Sequence, residues 1–550
     1  MSEIDVPILI VGGGPVGLLG AQLLGRRGLK VLLVEKYPAR LEAPKAHALN
    51  PRSLEICAAA GLSMDAIQAV ATPTEEGRYV RFVETLSKPD IGVMAYERQD
   101  EAVREVTPWP LINIEQPKFE AVLEAAVAKQ ATVEVRKGVE WLGCEQGEGH
   151  VTSTLKDRET GQEITVRSRY LIAADGAGSP VRDSLGIPMD GMDGIANNMM
   201  IHFEADLRAQ VGDRPAILYF LFGPGPNGVL IAYDIGKTWV MMTPCNPEDR
   251  PEDYSDDLCR TLVQSAVGAD IPDLQIKGKR PWVMSAQVAR RYREGQVFLV
   301  GDAGHRFPPT GGLGLNTGIG DIDNLVWKIA AIEAGWGSAD ILDSYDQERR
   351  AIADANMGQS VMNAMRIRML FDALGYGYET TVAPEVFYDR LSDPEKRAAV
   401  DAAVMFQKDH FDSLRLQLGF AYGDALKADD QLPISEFTQK VAVGARLPHV
   451  LLSDGGTTLG LSQPDRFVLL TGTDHADWTA LAEGSDVPVA VLTEGTDFTA
   501  KAGGWAAAMG LSASGALLVR PDGHLLAVAA SADDAPTTFA TLQRYMKGTV

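Results

Sequence analysis

An α/β protein of more than one domain is predicted by three features of the sequence. A β-branched apolar run opens straight into a glycine-rich turn and a helical segment within residues 6–28. Several alternating or continuous apolar runs, spaced like strands of an antiparallel sheet, fill residues 185–290. Beyond residue 425 the composition shifts, and further short apolar runs end in a helix. At 550 residues the chain is long enough for two or three large cores. Hydrophobic residues make up 45% and charged residues 23%, the usual balance of a globular protein. A formal net charge of −23 argues against nucleic acid or an anionic membrane surface as partner, since both would repel it. The four cysteines, Cys57, Cys144, Cys245 and Cys259, form no CxxC or CxxH pair. A disulfide framework or zinc site is therefore not expected, no metal is assigned, and a cytoplasmic location fits.

Residues 6–25 carry no charge, but they are not expected to span a membrane or to act as a signal peptide. The chain begins "MSEID" rather than with a basic segment, and Gly12-Gly13-Gly14-Pro15 breaks the apolar run in two. "VPILIV" suits a strand buried on both faces. G-x-G-x-x-G follows on Gly12, Gly14 and Gly17, then a helix entered at Pro15 and Val16 and ended by Gly28. "KVLLVEK" supplies a second strand, which Glu35 and Lys36 close. This order predicts a Rossmann-like floor for a dinucleotide. Gly12 permits the turn, Gly14 lets a pyrophosphate approach the backbone, and Gly17 lets the helix pack on the strand. Glu35 accepts hydrogen bonds from a ribose. The motif alone does not separate NAD from FAD.

Three further stretches carry more: "PKAHALNPRSLEI" (44–56), "YLIAADGAGSPVR" (170–182) and "GQVFLVGDAGHRFPPTGGLGLNTGIGDIDNLVWKI" (295–329). With the opening motif they resemble the single-component FAD-dependent aromatic hydroxylases typified by para-hydroxybenzoate hydroxylase, and among them the phenol and chlorophenol hydroxylase branch. The ordered resemblance covers about residues 5–370, with a weaker likeness to the C-terminus. It implies that Asp302 contacts the ribityl chain of FAD. It also implies that Pro309, Gly312 and Gly314 let the backbone lie beside the flavin, and that the helix start near Leu315 and Asn316 aims amides and a positive dipole end at it. The Asp-Gly motif after a strand is implied to lie near the pyrophosphate and to take part in NAD(P)H use, with Asp175 and Arg182 the candidates for those roles. Gln116, opening a helix with apolar Phe119, Val122 and Leu123, is assigned an FAD contact. Lys45 replaces the arginine of relatives and offers phosphate only a point charge. His47 occupies a position beside flavin and substrate, where a histidine can take or relay a phenolic proton. His305 is expected behind the flavin as a structural group.

The runs "NMMIHFEADL", "AILYFLFG", "GVLIAYDI" and "TWVMMTP" read as strands of an antiparallel sheet that lines the aromatic pocket in relatives. Tyr219, Tyr233 and Pro308 are its candidate substrate contacts, although core packing suits either tyrosine as well. The expected division is an FAD-binding part over 1–184 and 285–370, with substrate-sheet strands interleaved near 75–115. The substrate sheet itself covers 185–284, and a helical or linker segment 371–430. A thioredoxin-like part without CxxC, implied by the resemblance, covers 431–550; it has a hairpin turning at Pro521-Asp522-Gly523 and a last helix over residues 537–546.

The expected function is hydroxylation of a phenolic substrate with bound FAD and with NADPH or NADH and O2 as co-substrates. The resemblance supplies the chemistry, in which reduced flavin and dioxygen give a C4a-hydroperoxide that attacks the ring. Alternatives are the same fold performing Baeyer–Villiger or epoxidation chemistry, a non-catalytic flavin-binding sensor or scaffold, and a plain NAD-dependent dehydrogenase. A homodimer is compatible with the sequence.

Overall fold

The computed structural model describes residues 2–40, 46–376, 381–423 and 433–548. Three sheets organise it. The first is built on the opening motif. Parallel strands run in the order Val297–Leu299, Glu163–Ala173, Ser2–Val11, Val31–Glu35 and Val133–Lys137. Ile8, Leu9 and Ile10 of the opening run are wholly buried, as expected of a strand covered on both faces. Helices Pro15–Arg26 and Leu313–Glu333 cross one another tightly, because a Cβ on Gly20 would meet the Ile322 side chain at 2.8 Å and one on Gly318 would meet the Val16 side chain at 2.8 Å. Ile322, Leu325, Val326 and Ile329 form the buried face predicted for the second of these helices.

The second sheet has eight strands. The four predicted runs give Met189–Glu204, Leu218–Leu221, Gly228–Asp234 and Thr238–Pro244. Tyr79–Val83 and Asp90–Ala95 extend it at one edge, Gln275–Ala289 and His305–Arg306 at the other. Period-two alternation gives the sheet two cores. One face packs on helix Asp256–Val267; the other carries Phe82, Phe220, Ile231 and Tyr233 and packs with Ala48 and with helices Asp343–Ala373, Pro384–Ser392 and Pro394–Met405.

The third sheet orders Val489–Thr493, Phe467–Thr471, Ala516–Val519 and Leu525–Ala529, with one parallel and two antiparallel pairings. The hairpin turns where expected, and the last helix, Ala535–Met546, starts two residues early with a proline in its first turn. The hairpin turn is driven into the molecule: Arg520 pairs with Glu348 at 2.6 Å and Asp522 at 2.6 Å, while Trp327 Nε1 donates to Asp522 Oδ2 at 3.1 Å. Part of the expected linker, 424–432, lies outside the described residues. No described helix is long and apolar enough to cross a membrane, and no described cluster of His, Cys, Asp and Glu is placed to hold a metal.

Candidate functional site

One end of the site is made of backbone. Gly12 sits at φ +110°, and a Cβ there would lie 2.2 Å from Ala174 O; a Cβ on Gly17 would lie 2.0 Å from Gly12 O. Both positions exclude any side chain. Around Gly14, in contrast, a Cβ would meet nothing within 4 Å, which leaves open backbone at the start of the helix where an anionic group is favoured. Glu35 closes this end. Its Oε2 accepts from Gly13 N–H at 2.8 Å and its Oε1 from Tyr37 N–H at 2.9 Å, with lone pairs left for a ribose. Pro15 is buried at the head of the helix and Val16 packs against Gly301 and Gly318. Lys36 is exposed, with its ammonium over the Tyr37 ring. Lys45 lies outside the described residues.

Asp302, exposed in the short turn Gly301–Ala303, has its Oδ1 3.9 Å from where a Gly314 Cβ would stand, so it borders the helix that begins at Leu313. Asp175 accepts from Val181 N–H at 3.1 Å, leaving Oδ1 buried without a partner among the described residues, and burial pushes its carboxyl up. An exposed acid, an orphaned buried oxygen and a glycine floor fit a polyhydroxylated dinucleotide. Arg182 is not free to meet a ligand. It is buried and donates to Ala177 O and Ala303 O, tying two loops together.

The helix start corrects one expectation. Gly312, at φ +63°, caps the helix, so the amides without an intrahelical acceptor are those of Leu313, Gly314 and Leu315. Asn316 falls one residue too late. Its buried side chain accepts from Asn50 N–H (2.9 Å) and Ser53 Oγ (2.6 Å) and donates to Ala48 O (3.0 Å), fastening the helix to the segment after His47. Pro308 is buried and Pro309 exposed, and Pro309 O accepts from Gly312 N–H at 3.2 Å to close the turn.

The other end is assembled from distant segments. Ala48–Leu49 pairs antiparallel with Ile112–Asn113, and His47 O accepts from Ile114 N–H at 2.6 Å. Gln116, opening helix Gln116–Val127, accepts from Ala46 N–H at 3.3 Å and donates to Glu120 at 2.8 Å, so it holds this segment in place. The His47 ring lies 5.7 Å from Tyr96 and 6.2 Å, edge-on, from Tyr233. Its Nδ1 is 3.1 Å from Asn113 Oδ1, and Asn113 donates its amide hydrogens to Gly77 O at 3.0 Å. The amide is thus oriented, Nδ1 carries the hydrogen in the neutral ring, and Nε2 presents a lone pair. Burial holds the His47 pKa below its ordinary value, keeping the ring neutral at pH 7.

Tyr219 is a second correction. Leu218 pairs with Ile231 and Tyr219 with Leu230, so Tyr219 and Tyr233 stand on opposite faces. Tyr219 packs on Trp239 in the far core and donates to Arg214 O at 2.8 Å. His305 is buried behind the loop, with Nε2 3.1 Å from Asp321, which also takes Arg349 at 2.8 Å and Gly301 N–H at 3.1 Å. Burial pushes the Asp321 carboxyl up, but Arg349 and His305 outweigh it and hold the group below its usual range. Sequence reasoning singled out His305 as a structural group but missed Tyr96, Asn113, Asp321 and Arg349.

The comparisons with known proteins agree with this geometry. Residues 5–360 match the FAD binding domain family, and residues 440–548 match the aromatic-ring hydroxylase C-terminal family. A putative polyketide hydroxylase of Streptomyces halstedii is 32% identical over 542 residues, covering 94% of this chain and 92% of the relative. The 2,4-dichlorophenol 6-monooxygenase of Cupriavidus pinatubonensis is 30% identical over 580 residues, covering 99% and 96%. Among solved structures, the flavin-dependent monooxygenase PieE in complex with FAD and substrate superposes with a TM-score of 0.93 at 33% identity, over 100% of both chains. The glycine floor, the capped helix and these relatives together place the chain in the family of FAD-dependent aromatic-ring hydroxylases, as a flavin-dependent monooxygenase.

Proposed function

We propose that the protein hydroxylates a phenolic ring, using NADPH or NADH and O2, with His47 as the base that takes the phenolic proton. The observation that carries this reading is the His47 imidazole, fixed by Asn113 beside Tyr233 with Nε2 unpartnered among the described residues. Bound FAD would supply the redox chemistry that activates O2, with NAD(P)H as reductant. The chain's residues do the rest. Gly12, Gly14, Gly17 and Glu35 would hold the adenosine and pyrophosphate end, Asp302 the polyol, and the amides of Leu313–Leu315 the flavin head. Deprotonating the phenol raises electron density at the ortho and para carbons, which is what an electrophilic oxygen needs. The apolar wall excludes water, which would otherwise divert the oxygen to hydrogen peroxide.

A fused-ring substrate is favoured by one feature. Phe220, Val229, Met242 and Met200 pair across four adjacent strands and are partly exposed on the face that carries Tyr233. At about 4.8 Å per strand they form a floor roughly 14 Å long, longer than a single ring requires. Relatives act on both kinds of molecule by their names, a dichlorophenol and aklavinone. The test is a panel of mono- and polycyclic phenols scored for NAD(P)H consumption and hydroxylated product. The expected result is product from phenols and a preference for the fused-ring members. NAD(P)H consumption that no phenol stimulates would overturn the reading.

A further inference from the structure

We infer that Tyr96 is a second catalytic residue, donating a hydrogen bond to the phenolic oxygen as His47 deprotonates it, and that Glu97 is the positioning residue that holds Tyr96 there. This rests on the reading of the site given above.

Tyr96 follows strand Asp90–Ala95 at the edge of the second sheet. Its ring is buried, 5.7 Å from His47 and 6.4 Å from Phe411, and its hydroxyl lies 3.7 Å from where a Gly312 Cβ would stand. The hydroxyl therefore sits beside the glycine cap of the flavin-facing helix, on a ring that neighbours the base. The hydrogen bonds of this segment go elsewhere: the Tyr96 amide donates to Arg78 O at 2.8 Å, and among the described residues no hydrogen bond engages the hydroxyl. Burial keeps it protonated, hence a donor.

The next residue explains how the ring is held. Glu97 is the one described non-glycine residue at positive φ, +54°. Such a conformation is strained and persists only where surroundings enforce it. The Glu97 amide donates to Phe411 O, and its carboxylate accepts from Ser413 N–H and Ser413 Oγ, both at 2.8 Å. Arg98 continues the clamp by donating to Asp412 at 3.0 Å. The left-handed turn thus swings the chain from the sheet edge onto the segment at Phe411–Ser413, and the Tyr96 ring is left 5.7 Å from the His47 ring.

The chemistry balances without a further reactant. The phenol O–H bond breaks, its proton passes to His47 Nε2, and the electron pair stays on the phenolic oxygen. There the Tyr96 O–H gives a charge-assisted hydrogen bond, stronger to the phenolate than to the phenol.

The test uses oxidised, FAD-saturated protein and a hydroxyanthraquinone whose phenolate absorbs apart from flavin. Titrating the bound dye reads the phenol's own pKa without turnover. Wild type is expected to lower that pKa relative to free dye. Tyr96→Phe should raise it by about one unit relative to wild type, with flavin content and Tm unchanged. Glu97→Gly, which tolerates the backbone conformation but loses the Ser413 anchors, should shift it in the same direction. Glu97→Gln, which keeps an acceptor for Ser413, should stay within about twofold of wild type in dye affinity. A wild-type protein that shifts the dye, with Tyr96→Phe doing so equally, overturns the role of Tyr96. An unshifted Glu97→Gly overturns the positioning role. A folded, yellow wild-type protein that neither binds nor shifts any phenol overturns the phenol reading itself, and this inference with it.

Discussion

The two ends of the flavin site are built in opposite ways. The proposed pyrophosphate end is local: Gly12, Gly14, Gly17 and Glu35 fall within one strand–turn–helix–strand unit, and it is built of backbone closed by the Glu35 carboxylate. The proposed reaction end joins His47, Tyr96, Asn113 and Tyr233, which come from four separated stretches and meet through side chains beside Gly312. A site made of backbone tolerates no added atom where it is close-packed and is indifferent where it is open. A site made of side chains tolerates truncation structurally and loses its chemistry.

The largest expected effect tests the first end. Gly17→Ala puts a Cβ 2.0 Å from Gly12 O and should cost roughly 3 kcal/mol or more, giving colourless or aggregated protein in absorbance and thermal melts. Gly14→Ala, with nothing within 4 Å, should melt like wild type yet bind FAD about tenfold more weakly by fluorescence titration. Equal melts for the two variants would break the contrast.

His47→Ala tests the second end. Hydroxylated product should form about 10²- to 10⁴-fold more slowly, while FAD affinity holds. Since burial lowers the His47 pKa, the neutral base persists as pH falls. The acid limb of the wild-type rate profile should therefore have its midpoint below 6.5, and His47→Ala should abolish that limb. An acid limb unchanged in the variant would assign it to another group.

Glu97 gives a smaller effect, on stability. Burial pushes its carboxyl up to about 7 against the Ser413 hydrogen bonds, with Asp412 adding to the rise. Below pH 4.5 both folded and unfolded states hold the proton. Between 4.5 and about 7 the unfolded state releases it while the folded state keeps it, so stability falls as pH rises through that window. Glu97→Gln removes this loss and should gain roughly 3 kcal/mol on wild type between pH 5 and pH 8 in denaturant melts. Parallel pH profiles would sink it. The smallest effect is Tyr219→Phe, which loses one hydrogen bond to Arg214 O and should cost about 1 kcal/mol with no change in product rate.

These contrasts also show what could be read in advance. Three of the four substrate-sheet runs fit their strands closely because alternation is a local property, whereas the facing of Tyr219 depended on its pairing with Leu230, which no single strand encodes. The helix at Leu313 was foreseen, but its start was set too late because the cap is a left-handed Gly312 rather than a side-chain cap. Tyr96 left no signal, since its place is fixed by a strained residue whose anchor, Ser413, lies 316 residues away.

By itself the sequence determined the glycine floor, the acid that ends the second strand and the succession of strands and helices, because short-range sterics and apolar periodicity act between near neighbours. The tertiary structure alone decided which tyrosine meets the histidine, which imidazole nitrogen is left bare, and that Asn316 fastens two segments. Strand register and contacts between distant residues are set only when the whole chain packs.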